Sequence, residues 1–256
     1  MSPVLAIDLA LKSYSDFGVV LVERSDGSLH ARVERWTGSE APDPRCVADR
    51  ALRLAERFGV RTILIDGTQA WKDPMNGLAH CRVCEKVMHT PSKTGAPGEC
   101  KPHNYLGFTI FSVAVFDALD AAGFPRLSAY PSARTGRVAI ETFPFRAWRS
   151  LGLPPLPAKA KSTSADVQRC ALALQQEHGL TADLAPTHDE LQAMVTSLAG
   201  VALSDGSSNV LCAGVAPFVH EGFIREGFIV IPSRNENREA QAENQSAPTC
   251  PPTTQD

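Results

Sequence analysis

The chain has 256 residues, 43% of them hydrophobic and 21% charged, with a formal net charge of −3. That length supports a sizeable buried core, and the composition is ordinary for a globular protein. The charge excludes a surface that is basic throughout, although a sum hides local distribution. No apolar run approaches the ~20 residues of a membrane span, and no basic segment precedes an apolar one at the N-terminus. Neither a membrane partner nor a secretory leader is predicted, and the expected location is the cytoplasm. In that compartment the seven cysteines are thiols or metal ligands rather than disulfides.

Residues 3–10 form an apolar run, Pro3-Val4-Leu5-Ala6-Ile7-Asp8-Leu9-Ala10, which predicts a buried strand carrying one acid, Asp8. Residues 17–23 are apolar and β-branched. Residues 29–36 alternate as a half-exposed strand should. Short turns join the three into an antiparallel meander. From 43 to 58 the period changes: Val47, Ala51, Leu54, Ala55 and Phe58 fall at helical spacing, and Gly59 ends the helix. Residues 62–68 repeat the first pattern, a short apolar run ending in Asp66-Gly67.

Residues 67–103 are predicted as an inserted loop rich in Gly, Pro, Lys, Cys and His. A helix follows over 106–122, closed by Gly123 and Pro125. Residues 137–144 make a third apolar strand ending in an acid, Glu141. A short helix over 145–151, a Pro-rich connector and a helix over about 164–177 come next. Thr187-His188-Asp189-Glu190 has the form of a capping box and opens a helix to about 203, with Glu190 used in the cap. Strand-like segments cover 209–215 and 223–231. The predicted organisation is one domain over 1–232 and a disordered polar tail over 233–256. Helix crossovers between the later strands make them parallel. The expected fold class is α/β, a mixed sheet of the three-stranded meander plus parallel strands, with helices on both faces.

Three strands thus end in a carboxylate. Ligands of open α/β sheets bind beyond the carboxyl ends of parallel strands, and burying unpaired carboxylates is costly. Asp8, Asp66 and Glu141 are therefore candidates for one acidic site. Asp189 is a fourth, because Asp189, Ala193, Thr196 and Gly200 share one face of their helix, and the small residues let it lie close to the sheet. A hard divalent cation, Mg²⁺ or Mn²⁺, relieves the repulsion among such acids and supports phosphodiester hydrolysis. The basic stretch Arg126, Arg134, Arg137, Arg146, Arg149, Lys159 and Lys161 flanks Glu141. Within it Arg137, Arg149, Lys159 and Lys161 are the candidates for holding a nucleic-acid backbone, DNA or RNA. Cys81-x-x-Cys84 and Cys100-x-x-His103 have the spacing of a structural Zn²⁺ site.

Four short motifs resemble the domain-of-unknown-function family 429, predicted nucleases with a ribonuclease H-like fold related to the RuvC resolvases. They are Ile7-Asp8-Leu9-Ala10, Ile65-Asp66-Gly67, Glu141-Thr142-Phe143-Pro144 with Trp148-Arg149, and His188-Asp189-Glu190-Leu191-Gln192-Ala193. They follow the family's order over residues 3–203. In the Cys/His loop Arg82 and Glu85 resemble an Arg-x-x-Glu feature of the family, which would leave the cysteines incidental. The resemblance implies a ribonuclease H-like fold and a metal-dependent nuclease with Asp8, Asp66, Glu141 and Asp189 as its acids. Gln192 stands where such proteins often carry a further Asp, which weakens a second metal position. The alternative from a different class is a non-catalytic nucleic-acid or protein-binding module on a degenerate scaffold of this kind. An actin-like phosphotransferase ranks third, because Leu11-Lys12-Ser13-Tyr14 offers no glycine-rich phosphate loop.

Overall fold

Apolar side chains at successive positions of a strand point to opposite faces, so a continuous apolar strand needs cover on both. The computed structural model describes residues 2–130 and 136–234, leaving Arg134 and the tail from 235 onward outside the described residues. β1 (Val4–Asp8) meets this requirement at the centre of an eight-stranded sheet. Val4, Ala6 and their neighbours pack on one side, Leu5 and Ile7 on the other.

The meander is present: β2 (Gly18–Ser25) pairs antiparallel with β1 and with β3 (Ser28–Val33). α1 (Pro44–Phe58) is capped by Asp43, whose carboxylate accepts from the Arg45 and Cys46 amides at 3.0 Å each. β4 (Thr62–Asp66) then lies parallel to β1. The insertion is not the featureless loop expected. It holds α2 (Val83–Met88) and a two-stranded hairpin, β5 (Lys93–Thr94) with β6 (Cys100–Lys101). Six residues and two pairs of two are too short to show a hydrophobic period.

α3 (Leu106–Ala121) packs with α1 on the face of Leu5, Ile7, Ile63 and Ile65. β7 (Val138–Thr142) lies parallel to β4, and α4 (Pro144–Ser150) follows it directly. α5 (Ser164–His178) leads to a strand the sequence pattern hid, β8 (Leu180–Ala182), which pairs parallel with β3. α6 (His188–Ser204) opens with the expected capping box, in which the Thr187 amide donates to Glu190 at 2.7 Å. β9 (Val210–His220) and β10 (Phe223–Pro232) are a longer hairpin than expected, and β10 pairs with β7. The sheet order is β8-β3-β2-β1-β4-β7-β10-β9.

α6 crosses β1, β2, β4 and β10 on the face opposite α1 and α3. The small-residue face makes this close approach. A Cβ on Gly200 would stand 2.5 Å from both Leu64 Cδ1 and Val4 Cγ1. No helix among the described residues is long and apolar enough to cross a membrane.

Candidate metal centre

The register of the central strands decides which acids meet. β1, β4 and β7 run in the same direction, so Asp8, Asp66 and Glu141 all lie toward one edge of the sheet. Asp8 is the direct partner of Asp66 across the β1–β4 ladder, and Asp66 of Thr142 across the β4–β7 ladder. Residues directly opposite share a face, so Asp8, Asp66 and Thr142 form one row. Gly18 stands opposite Asp8 on the other side. A Cβ there would lie 2.0 Å from the Asp189 carbonyl oxygen, so only glycine admits the first turn of α6 beside Asp8. Burial pushes the Asp8 carboxyl well above its ordinary value, and the charges of Asp66 and Asp189 add to it. Burial also pushes Asp66 up, to about 7; the Glu141 charge adds to this and a hydrogen bond with Asp8 opposes it.

Glu141 does not join this row. It pairs with Ile65, one residue ahead of Asp66, so its side chain leaves the opposite face. There the Arg82 guanidinium donates to both of its oxygens, at 2.7 and 2.8 Å, and the Gln69 amide donates at 3.0 Å. Arg82 is fully buried and also donates to Glu85 at 3.0 and 3.1 Å. Glu85 accepts further from the Thr94 amide and hydroxyl. The Arg-x-x-Glu feature of the insertion is thus the clamp on Glu141. The expectation of four free, converging carboxylates is corrected at this position.

Asp189 is also matched by the protein's own cation. Lys159 Nζ lies 2.5 Å from its Oδ2 and 2.9 Å from Asp16 Oδ1, and His188 Nδ1 lies 2.9 Å from its Oδ1. Burial raises the Asp189 carboxyl, but His188 and Lys159 outweigh this and hold it below the ordinary value. The sequence offered no mate for the acids; Arg82 and Lys159 are two. Gln192 is occupied as well: its Oε1 accepts from the Trp148 indole at 2.8 Å, tying α6 to α4.

The other basic candidates spread out. Arg137 precedes β7 and so lies at the amino edge of the sheet, away from the acids, over the Phe124 ring. Arg149 stacks on Phe145 at 4.4 Å on the exposed side of α4. Lys161 is exposed. Arg126 is buried and bonded to Asp117, Asp120 and the Gln69 carbonyl. The Cys/His set does not assemble either. Cys84 is packed in the core, Cys100 is buried on Thr109, and His103 is exposed. Burial raises the Cys84 thiol well above its ordinary value. Among the described residues no three His, Cys, Asp or Glu side chains are grouped to hold a metal ion. Of the four candidate acids, Asp8 and Asp66 are the two that no cation among the described residues bonds. Two carboxylates with open positions for phosphate oxygens and water fit a Mg²⁺-type ion, which is commonly bound in this way.

Beside the pair opens a cavity of about 410 Å³. Glu141 and Glu85 reach its wall, and Thr90, Ser92, Asn104, Tyr105, Phe108 and Phe143 supply much of the rest. Thr142 also lines it, and its buried hydroxyl has no hydrogen-bond partner among the described residues. Sequence reasoning passed over Thr142 and Gly18, because neither carries a charge and both depend on register.

A central strand flanked by an antiparallel meander on one side and parallel strands on the other is the arrangement expected above. The fold is α/β, a mixed eight-stranded sheet with helices on both faces. No family model matches the chain, and no curated protein does. Among solved structures, RuvC of Thermus thermophilus is similar over 79% of this chain and 91% of its own, at 16% identity and a TM-score of 0.38. T. thermophilus RuvC in complex with a Holliday junction substrate is similar over 80% and 99%, at 15% identity and a TM-score of 0.36. Neither value assigns a residue or an activity to this chain.

Proposed function

We propose that the protein is a metal-dependent nuclease whose centre is Asp8 and Asp66, with Asp189 at its flank. The observation that supports this is the direct opposition of two partly accessible carboxylates that no cation among the described residues bonds, at the mouth of a cavity. A divalent cation held there supplies the positive charge that polarises a phosphodiester and acidifies an attacking water. The residues of the chain do the rest. Asp8 and Asp66 hold the cation, the Thr142 hydroxyl is placed to donate to a phosphate oxygen, and Lys159 keeps Asp189 ionised. Glu141, clamped by Arg82, positions the wall of the cavity. The motif resemblance to family 429 agrees with this reading.

A second reading has an observation of its own. Arg82 and Lys159 neutralise two of the four expected acids, as suits a binding module that cuts nothing. A cleavage assay separates the two. Wild type with Mn²⁺ is expected to cut at least one member of a panel of single-stranded, duplex and junction DNA and RNA. Asp8→Asn is expected to lower that rate at least about a hundredfold, as loss of transition-state charge stabilisation does. Undiminished cleavage by Asp8→Asn removes the assignment, and no cleavage by wild type favours the binding module.

A further inference from the structure

The cavity beside Asp8 and Asp66 is built for more than a phosphate. Its acids on the insertion side are already used: Glu85 and Glu141 are both bonded to Arg82. The remaining wall is neutral, with three aromatic rings (Tyr105, Phe108 and Phe143) and short polar groups between them. Thr90 Oγ1 is used, donating to the Ser92 carbonyl at 2.7 Å, but other groups are unspent. The side chains of Asn104 and Ser92 make no hydrogen bond within the described residues, and neither does the Tyr105 hydroxyl. The buried Thr142 hydroxyl, on the acid side, has no partner among them either. Aromatic faces with a free amide and free hydroxyls match a nucleobase, which presents π-faces and a hydrogen-bonding edge. The volume, about 410 Å³, lies in the lower part of the range for single small ligands, roughly 300–1,000 Å³. It admits one nucleotide and no stacked pair.

We propose that this cavity receives one unstacked nucleotide, with its base against Tyr105, Phe108 and Phe143 and its phosphate at Asp8, Asp66 and Thr142. The substrate is then single-stranded or locally opened nucleic acid, since a base inside an intact duplex cannot reach such a pocket. This rests on the nuclease reading, and it adds the form of the substrate. The insertion finds its role here: Thr90, Ser92, Asn104 and Tyr105 all come from it or from the turn that follows it.

The test compares a fluorescein-labelled single strand with the blunt duplex of the same sequence, by anisotropy with Ca²⁺ in place of Mn²⁺. Wild type, Tyr105→Ala and Asn104→Ala are measured; both positions are exposed, so the variants fold. The single strand is expected to bind wild type at least tenfold tighter than the duplex. Tyr105→Ala is expected to weaken it about tenfold, the effect of losing one base-stacking ring, and to leave duplex binding unchanged. Equal or tighter duplex binding, or an unchanged single-strand affinity in Tyr105→Ala, overturns the proposal. A second arm adds AMP and UMP and follows the melting temperature. Mononucleotide binding that needs Tyr105, without strand cleavage, keeps the pocket and defeats the nuclease reading. Strand cleavage with a duplex preference and a silent Tyr105 does the reverse.

Discussion

Arg82→Met is expected to destabilise the protein by about 3–5 kcal/mol, the cost of leaving buried carboxylates without their cation. Arg82 is fully buried, and its two partners Glu85 and Glu141 are almost so. Methionine replaces the bulk of the side chain but none of its five donors. The loss should read as a lower denaturant midpoint with an unchanged slope. Adding Glu141→Gln to Arg82→Met should recover part of it, because one of the stranded charges is removed. If Arg82→Met is as stable as wild type, the clamp on Glu141 is not what holds the insertion to the sheet. The prediction bears on function, since a Glu141 engaged by arginine contributes little charge to a metal.

The second large effect is on pH dependence. In the metal-free protein burial pushes the Asp66 carboxyl up to about 7 from an ordinary 3.8. A carboxyl whose value is raised by folding binds its proton more tightly in the folded state. Its stabilising contribution is therefore complete below about pH 4 and is lost as the pH climbs through 7. The full difference corresponds to up to about 4 kcal/mol, and water in the cavity reduces it. Wild type is expected to lose stability relative to Asp66→Asn as the pH rises from 4 to 7.5. Mn²⁺ should restore wild type at pH 7.5, where the carboxylates are ionised, and should do little at pH 4.5. A flat difference between wild type and Asp66→Asn over this window contradicts the buried-pair account. At the upper end of that window Asp66→Asn is expected to be the more stable protein, as befits a site built at the expense of stability.

Much of this arrangement was legible in the residues. Short apolar runs, each followed by an acid, mark strands covered on both faces, and β1, β4 and β7 are parallel neighbours. The spacing of Asp189, Ala193, Thr196 and Gly200 marks the face on which α6 lies against the sheet. What the residues hid was register and long-range pairing. Glu141 and Thr142 are adjacent in sequence, and only the ladder shows that Thr142 shares the face of Asp66. Arg82 meets Glu141 across 59 residues and Lys159 meets Asp16 across 143. No local period encodes such contacts. The cysteine spacing misled for a related reason: short-range spacing says nothing about burial, and α2 turns Cys84 into the core.

The central claim is that Asp8 and Asp66 together hold one divalent cation. Titrating metal-free protein with Mn²⁺ at pH 7.5, with free ion counted by its electron paramagnetic resonance signal, tests it most directly. The account predicts one bound ion per chain in wild type, and at least about tenfold weaker binding in both Asp8→Asn and Asp66→Asn. Binding of equal strength in the three proteins, or none in wild type, contradicts it.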